Sequence, residues 1–358
     1  MFPEYYYRVE LSSKCHSFNE KDNKMKQVYY VIEDQAAVQD FYADVIGKGL
    51  EKAGYFKYEA ISIKEIDNID KKSIIISISH YLTVKLWSKG FKNIIYWVQG
   101  SSPDESFMRN NSHWRKFIIS TIERVALAKA KYVFMVSGSM HEHYKRKYNK
   151  DFSYKTYIMP CYNSELSEEL FFTPAKYENE VYCYVGGLSV WQCFPETVEL
   201  YKKIEEKNPN ACFKVFTGDQ DKAKQILEEK GVKNFEVKYV TPDKLVGELA
   251  SCKYGFIVRA ESPVNYVATP TKLSNYMAAG LIPIVSNAVG FFEEILCNAK
   301  NAVVLNGQND LDKILAVSKK DTKAEEVYAE FDSLFEKFYN TEEHIKHIAE
   351  QIKNVKFV

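Results

Sequence analysis

One arginine and one lysine in the second half of the sequence have side chains and a spacing suited to binding an anion. Arg259 follows an apolar run at 256–258, and it alone of the six arginines lies beyond residue 170. Lys272 follows Pro270 at the start of a predicted short helix that ends before Gly280. Helix N-termini favour anions, and arginine binds phosphate oxygens in pairs. We therefore expect both cations to converge on one anion such as a diphosphate, although a salt bridge for Arg259 and a solvated Lys272 are the alternatives.

A glycine pair forms the second candidate feature. Gly186 and Gly187 end a predicted strand, and a helix is predicted to start near Phe194. Glycines let backbone amides approach a ligand, and the helix N-terminus that follows favours negative groups. An ordinary tight turn is the alternative. The dinucleotide fingerprint G-x-G-x-x-G is absent here and after the first strand, so a nicotinamide dehydrogenase is not expected.

Polar residues also follow predicted strands in the first half of the chain. Gln99, Gly100 and Ser101 come after the strand at 93–98 and have the groups needed to hold a sugar hydroxyl. Asp104 and Glu105 follow, and they either orient an acceptor hydroxyl or are solvated or helix-capping acids. His80 ends the strand at 73–79 and is either a catalytic group or a capping or core histidine.

Metal chemistry has no support in the spacing of ligand-type residues. The seven cysteines are scattered, no zinc-type spacing of Cys and His occurs, and no Asp-x-Asp motif stands near the candidate anion site. We therefore expect no metal site.

The segments that must position these residues alternate between short apolar runs and longer amphipathic runs. Continuous apolar runs such as SIIISIS suit strands that are covered on both faces. The alternation predicts an α/β architecture of two Rossmann-like, doubly wound parallel sheets facing a cleft. The predicted strands are 28–33, 58–63, 73–79, 93–98, 132–137 and 155–159, then 181–186, 212–217, 235–240, 254–258, 282–286 and 302–305.

The polar segment 160–180, with two prolines, is interpreted as the connection between the two domains. The predicted domains are residues 1–165 and 166–320. Residues 321–358 are predicted to contain a C-terminal helix that packs back across both domains through an apolar stripe including Val327, Phe331 and Phe335.

Composition excludes several classes of protein. Hydrophobic residues make up 46% of the 358 residues, which is incompatible with global disorder. Basic and acidic residues number 48 each, so no nucleic-acid partner is expected. No signal peptide or membrane-spanning stretch is recognisable, and we expect a cytoplasmic protein, with peripheral membrane association as an additional expectation.

Three segments of the second half, YVGGLS, FTGD and PTKLSNYMAAGLIPIV, resemble the group-1 (mannosyltransferase-like) GT-B glycosyltransferases of bacterial surface-polysaccharide type. The resemblance covers residues 181–305, and the first half matches only in layout. It implies a second domain that binds a nucleotide-sugar donor and a first domain that binds a glycan or lipid-linked acceptor. It also implies a retaining hexosyl transfer without metal ion or other cofactor, in which basic groups and amides stabilise the departing diphosphate.

The positions of the candidate residues, taken together with the resemblance, predict roles for individual residues, and the role given to Arg259 and Lys272 is an inference from their positions rather than a match to the family. The expected donor-binding residues are Gly186, Gly187, Ser189, Thr217, Gly218, Thr241, Arg259, Thr271, Lys272 and Asn275. The expected acceptor-binding residues are Asp34, Gln99, Gly100 and Ser101, and the expected catalytic residues are Arg259, Lys272, His80 and Glu105. Two glutamates common in relatives are replaced by Val267 and Asn275, and the usual Arg/Lys pair after the glycine-rich strand is replaced by the residues VWQ at 190–192.

Two other functions remain open at this stage. A non-catalytic two-domain protein that binds a sugar or nucleotide is the first, and a GT-B sugar-nucleotide epimerase is the second. A sugar sensor needs no diphosphate site, so the Arg259 and Lys272 pair argues against it. An epimerase needs acid and base groups clustered together, and the sequence offers few.

Overall fold

The computed structural model describes residues 26–32 and 37–358, and these form two compact units. The first unit contains the described residues up to Met159 together with Asn340–Val358, and the second is Pro160–Tyr339. The boundaries predicted after residues 165 and 320 both fall inside the second unit. The C-terminal segment is therefore divided between the two units.

The described part of the first unit contains a six-stranded parallel sheet flanked by helices. Its strands lie in the order β2-β1-β3-β4-β5-β6. The strands are β1 (Val28–Ile32), β2 (Glu59–Ser62), β3 (Ile74–Ser77), β4 (Ile94–Val98), β5 (Tyr132–Met135) and β6 (Thr156–Ile158). The helices are α1 (Ala37–Lys52), α2 (His80–Ser88), α3 (Ser102–Asn110), α4 (His113–Lys129) and α5 (Gly138–Tyr148), with 3-10 turns at Ile63–Asn68 and Ser153–Lys155.

The second unit contains a second six-stranded parallel sheet, in the order β12-β11-β10-β7-β8-β9. The strands are β7 (Val181–Val185), β8 (Cys212–Phe216), β9 (Phe235–Lys238), β10 (Tyr254–Ile257), β11 (Ile282–Ser286) and β12 (Val303–Leu305). The helices are α6 (Glu168–Phe171), α7 (Phe194–Lys207), α8 (Gln220–Glu229), α9 (Pro242–Leu249), α10 (Pro263–Val267), α11 (Lys272–Ala278), α12 (Gly290–Leu296), α13 (Asp310–Ser318) and α14 (Ala324–Phe338), with a 3-10 turn at Val190–Gln192. Helix α15 (Thr341–Ile352) belongs to the first unit.

The strand order decides where each sheet can bind a ligand. In the second sheet the chain leaves β7 toward β8 and β9 on one side, and returns to β10 on the other side. Ligands of doubly wound sheets bind at such a reversal, beyond the carboxyl ends of the strands. Gly186 follows β7 and Arg259 follows β10 closely, so both lie at the reversal point.

The predicted α/β fold with two Rossmann-like sheets is confirmed. Each predicted strand is present within about two residues at its described ends. Inner strands such as β4 and β11 are buried along their whole length, as their continuous apolar runs predict. Aromatic side chains fill the second core. Tyr182 stacks on Tyr254 at 4.7 Å and Tyr201 on Phe213 at 4.5 Å between ring centroids.

The segment interpreted as a connection packs on the second unit. It contains α6, whose Phe171 is fully buried, and the Tyr177 hydroxyl donates to the Gly280 carbonyl at 2.8 Å. Gly280 has φ +71°, and a Cβ at this position would lie 2.8 Å from the Phe171 ring. The aromatic residues of the segment 160–180 thus pack it against the second unit. Its prolines and charged residues did not indicate this packing.

The single C-terminal helix expected across both units is wrong. The chain leaves the helical conformation at Tyr339, with φ −126°, and Asn340 starts α15 by accepting a hydrogen bond from the Glu343 amide at 3.1 Å. Helix α15 packs on α1, where a Cβ at Gly49 would lie 2.4 Å from Ile348. An asparagine cap therefore divides the amphipathic pattern into two helices.

No helix in the described ranges has the length and apolar character needed to span a membrane.

Candidate functional site

The glycine pair forms a hydrogen-bonded turn at the carboxyl end of β7. The Gly186 amide donates to the Phe216 carbonyl at 2.9 Å, and the Tyr184 hydroxyl donates to the Gly187 carbonyl at 2.8 Å. Gly186 has φ +120°, which only glycine adopts without strain. Asp219 holds the far side of the turn by accepting from the Leu188 amide at 3.2 Å.

Lys272, the first residue of α11, is buried beneath this turn. Its Nζ donates to Gln192 Oε1 at 2.8 Å and lies 4.4 Å from the centroid of the Tyr184 ring. A Cβ built on Gly186 would lie 3.4 Å from the same Nζ. Burial and the positive charge of Arg259 lower the pKa of Lys272 well below its ordinary value. The ammonium group is therefore held where an anion in the glycine turn would reach it.

Arg259 is fixed at the end of β10 by its own backbone. Its amide donates to Ser286 Oγ at 2.8 Å, and the same hydroxyl donates to the Arg259 carbonyl at 2.9 Å. The residue is only 7% exposed, and burial lowers the pKa of its guanidinium. Its Nη1 is buried without a hydrogen-bond partner, and it forms no ion pair with any described residue. The salt-bridge alternative therefore does not hold for the part of the chain described.

Two buried cations thus share one location without a countercharge. No ion pair within residues 26–32 and 37–358 involves Arg259 or Lys272, and the two repel each other. Burying unpaired charge costs several kcal/mol per ion, on the order of the penalty measured for broken buried pairs. A dianionic ligand that enters the turn would supply the missing charge and the missing hydrogen bonds. The structure brings Arg259 and Lys272 together around Tyr184, and their part in binding stays a prediction.

Two neighbours of Lys272 were missed by sequence reasoning. Gln192 lies in the 3-10 turn, at a place where the resemblance led us to look for basic residues. Cys193 ends that turn with φ +48°, and its Sγ accepts from the Ala260 amide at 3.3 Å. The thiol therefore ties the chain after β7 to the chain after β10. The only feature of the sequence that pointed to these two residues was the short segment between the glycine pair and the start of α7.

The other predicted donor residues line the carboxyl edge of the second sheet. Ser189 precedes the 3-10 turn and is exposed, as is Gly218 after β8. Thr217 is buried, and its Oγ1 accepts from the Asp219 amide at 3.1 Å. Thr241 precedes α9, next to the edge strand β9, and is exposed. Ser189 and Gly218 therefore lie nearer the reversal point than Thr241.

Thr271 and Asn275 belong to the segment that carries Lys272. Thr271 is the N-cap residue of α11 and makes no side-chain cap hydrogen bond. Asn275 is 4% exposed, and its Oδ1 accepts from the Ser164 hydroxyl at 2.6 Å. Its amide nitrogen is thus the group left to act as a donor, whereas a glutamate would present only acceptors.

In the first unit, His80 is the first residue of α2 and is 7% exposed. Burial and the charge of Lys147 lower the pKa of His80 to about 4, so the imidazole is neutral at pH 7. Its Nε2 is buried with no hydrogen-bond partner among the described residues, and the cap of α2 is Ser79. The capping interpretation of His80 is therefore wrong.

The residues after β4 form a second polar cluster. Gln99 is exposed, whereas Ser101 is buried and its hydroxyl donates to Asp104 Oδ2. The Tyr144 hydroxyl donates to the Gly100 carbonyl at 3.0 Å. The Glu105 carboxyl lies close to Gly100, and a Cβ at this position would be 2.7 Å from Glu105 Oε1. Burial raises the pKa of Glu105.

Asp104 is neither solvated nor a helix cap, so both of these alternatives from the sequence are wrong. It is 5% exposed, and its Oδ1 lies 2.7 Å from Lys116 Nζ. Lys147 lies 3.6 Å from Asp104 and 3.0 Å from the buried Glu123. The lysine and serine contacts lower the pKa of Asp104 against the effect of burial. Asp104 therefore ties α3 to α4 and α5.

Asp34, the remaining predicted acceptor residue, lies outside the described residues. Among those described, no group of three His, Cys, Asp or Glu side chains is arranged to hold a metal ion.

Two Rossmann-like parallel sheets in one chain are the architecture of the GT-B fold. The family model of the glycosyl transferases group 1 matches residues 167–331, a little under half of the chain. Residues 167–331 are thus similar to the group 1 glycosyltransferases, and this stretch contains all the predicted donor residues. A search of curated protein sequences found no significant match.

Solved structures with the same fold are distant in sequence. Sucrose-phosphate synthase from Thermosynechococcus elongatus has a TM-score of 0.67 and 12% identity over 92% of this chain and 98% of that one. HepE from Anabaena, in complex with UDP and glucose, has a TM-score of 0.67 and 12% identity over 92% and 99%. A variant of TarM from S. aureus, in complex with fondaparinux, α-GlcNAc-glycerol and UDP, has a TM-score of 0.59 and 13% sequence identity. The match covers 82% of this chain and 57% of the TarM chain. The chain thus spans a little over half of TarM, and these likenesses concern the fold.

Proposed function

We propose that the chain transfers a hexosyl group from a nucleoside diphosphate sugar, bound by the second unit, to a glycan or lipid-linked acceptor. The observation that carries the proposal is the buried Arg259 guanidinium, whose Nη1 lacks a partner, beside the buried Lys272. A diphosphate has the charge and the oxygen atoms to satisfy both. The presence of UDP in the HepE and TarM structures supports this ligand class.

The two cations have a direct role in the proposed reaction. As the bond between the anomeric carbon and the diphosphate breaks, negative charge grows on the diphosphate oxygens. Arg259, Lys272 and the Gly187 amide stabilise that charge without a metal ion. The bound anion also raises the pKa of Lys272, because it offsets the burial and repulsion that lower it. Lys272 is therefore protonated when the donor is present.

We further propose that the transfer retains the configuration of the sugar. The acceptor oxygen bonds to the anomeric carbon on the face that the diphosphate leaves, and the hydroxyl proton passes to a departing diphosphate oxygen. No strong base is required for this step. His80, with a pKa of about 4, is too weak a base to drive it and would act as a neutral hydrogen-bond partner.

The acceptor is assigned to the first unit in this proposal. Gln99, the backbone of Gly100 and Ser101, and the carboxyl of Glu105 present both donors and acceptors at the end of β4. Such a set suits the hydroxyl groups of a neutral sugar. On the basis of the resemblance, we also propose that the protein acts in the cytoplasm in the synthesis of surface polysaccharide.

Calorimetry tests the donor assignment. UDP, GDP, CMP and dTDP are titrated separately into the wild-type chain and into Lys272→Ala and Arg259→Ala. We expect at least one diphosphate to bind, and affinity to fall tenfold or more in each variant, since a charged hydrogen bond contributes about 1.5–3 kcal/mol.

The matched control for this titration is Lys253→Met. Lys253 is also buried in the second unit, but it pairs with Glu180 at 2.8 Å and precedes β10 rather than following it. It should bind the diphosphate like the wild type. Equal affinity in the wild type and both site variants would contradict the assignment.

A non-catalytic nucleotide-binding protein is the second candidate function. Asn275 supports it, because it replaces a carboxylate common in relatives and its Oδ1 is already bonded to Ser164. Slow hydrolysis of the bound nucleotide sugar in the absence of acceptor would favour the transferase. Tight binding without any hydrolysis or transfer, across a panel of donors and sugar acceptors, would favour the binding protein.

A further inference from the structure

Helix α4 exposes large apolar side chains on its outer face. Trp114 is 71% exposed, Phe117 63% and Ile118 40%, and the first two rings stack with centroids 6.0 Å apart. These three residues lie within one turn near the start of the helix. Exposing stacked aromatic rings to water costs free energy unless another surface covers them.

The exposed charges of α4 itself are all of one sign. Helix α4 contains one carboxylate, Glu123, and it is fully buried and bonded to Tyr144, Tyr148 and Lys147. Its exposed charged residues are Arg115, Arg124 and Lys129. None of the three forms an ion pair with another described residue. The outer face of α4 is thus apolar and cationic.

The neighbouring helix extends the same character. Helices α2 and α4 pack against each other, and α2 contains no acidic residue. On α2, Tyr81 is 49% exposed and Lys85 is exposed. We call Trp114, Phe117, Ile118, Arg115 and Arg124 the α4 surface.

We propose that the α4 surface docks the protein on an anionic lipid bilayer. Amphipathic helices that lie in the membrane interface place tryptophan and phenylalanine among the acyl chains and lysine or arginine among acidic headgroups. Tryptophan also favours the depth of the lipid headgroups. The alternation of aromatic residues and unpaired arginines within three turns satisfies both requirements. A protein partner would need an acidic, apolar surface of matching shape, for which nothing in the structure provides an argument.

The inference rests on the proposed function in one respect only: docking would bring the transferase to a lipid-linked acceptor. The docking itself depends on residues of the first unit that take no part in donor binding. Its test therefore uses no donor and no acceptor.

Vesicle binding by the full chain tests the proposal. Vesicles of phosphatidylcholine alone and of phosphatidylcholine with phosphatidylglycerol are sedimented with the wild type, Trp114→Ala/Phe117→Ala and Arg115→Glu/Arg124→Glu. The wild type should bind the anionic vesicles, and both double variants should bind about tenfold more weakly or worse. The matched control is Tyr154→Ala/Tyr239→Ala, which removes two other aromatic residues that are 73% and 58% exposed. It should bind like the wild type.

Fluorescence gives a second readout that folding defects would not imitate. Among the four tryptophans, Trp114 is the most exposed. Its emission should shift to shorter wavelength with anionic vesicles and be quenched by brominated acyl chains, and Trp114→Ala should lose most of both effects.

Three results would overturn the proposal. The first is no binding of the wild type to anionic vesicles, and the second is equal binding by Trp114→Ala/Phe117→Ala and the control. The third is a dimer in light scattering that dissociates in that variant, because a second copy would then be the occupant. Diphosphate affinity, measured by calorimetry without vesicles, should be the same in that variant and the wild type, so a failed donor assignment would show separately.

Discussion

Gly186 and Lys272 lie against each other although 86 positions separate them in sequence: a Cβ on the glycine would stand 3.4 Å from the lysine Nζ. The glycine ends β7 with φ +120°, and the lysine begins α11. One residue therefore shapes the turn through its lack of a side chain, while the other supplies its charge. The proposed anion site needs both the turn and the ammonium group.

Gly186→Ala should damage this arrangement through the backbone. The substitution forces an L residue into a positive-φ conformation, at a cost of about 1–3 kcal/mol, and places a methyl group beside the Lys272 ammonium. We expect a lower melting temperature and weaker diphosphate binding. Gly231→Ala, also at positive φ but with open space around the added Cβ, should lower stability only. Wild-type diphosphate affinity in Gly186→Ala would show that the turn does not contact the ligand.

Lys272→Met should stabilise the chain without ligand while it weakens donor binding. Burial is the largest cause of the lowered pKa of Lys272, so the folded state disfavours this charge. Methionine of similar length removes that cost, and the gain should exceed the loss of the Gln192 hydrogen bond by about 1 kcal/mol. Denaturant unfolding with and without the best-binding diphosphate measures both effects. A variant less stable than the wild type without ligand would show that Lys272 is already compensated.

The strands could be predicted from the sequence because burial on both faces leaves a signal in each apolar run. The same holds for Arg259 and Lys272, whose positions follow from a strand end and a helix start. The partners of those cations could not be predicted. Gln192 and Ser286 reach them only through the packing of separate loops, and no local pattern encodes the Tyr184 ring beneath Lys272.

The burial of charged groups also could not be predicted from the sequence. Asp104 stands in a polar stretch that is typical of surface loops, yet Lys116 and Lys147 compensate its burial from other helices. The pattern of α14 and α15 likewise continues through Tyr339, so only the Asn340 cap shows where the helix divides. The burial of Asp104 thus depends on contacts between residues far apart in the chain, whereas the Asn340 cap is a local contact with the Glu343 amide.

His80 should make the protein sensitive to acid. Its pKa is about 4 in the folded state and 6.5 in the unfolded chain, so the unfolded chain binds more protons between these values. The contribution of His80 to the free energy of unfolding is therefore fully present above pH 6.5. It falls as the pH drops toward 4, by on the order of 3 kcal/mol. His143, with a pKa also lowered to about 4, adds a similar loss.

Urea unfolding at several pH values between 7 and 4 checks this expectation. His80→Gln should lose about half of the acid-dependent fall, whereas the exposed His347→Gln should change nothing. An unchanged pH slope in His80→Gln would mean that His80 is protonated in the folded protein.

Transfer should persist after chelation of divalent ions. In the proposed reaction, Arg259 and Lys272 supply the positive charge that a metal would otherwise bring to the diphosphate. Turnover of the identified donor in EDTA should match turnover without it within about twofold, because the cations act through direct hydrogen bonds. Loss of activity in EDTA with recovery in Mn²⁺ would contradict metal-independent catalysis.

The stereochemistry of the product separates leaving-group stabilisation from general-base catalysis. If the departing diphosphate takes the acceptor proton, Arg259 and Lys272 support most of the rate, and Arg259→Ala or Lys272→Ala should cost about 10²–10³ in kcat. His80→Ala and Glu105→Gln should cost less and act mainly on the KM of the acceptor, because their groups hold hydroxyls. Neither should remove a limb of the pH–rate profile. NMR of the anomeric centre, with turnover of the four variants under the same conditions, tests all of this together. An inverted anomer with collapse of activity in Glu105→Gln would assign the base to Glu105, whose pKa is already raised by burial, and would refute retention.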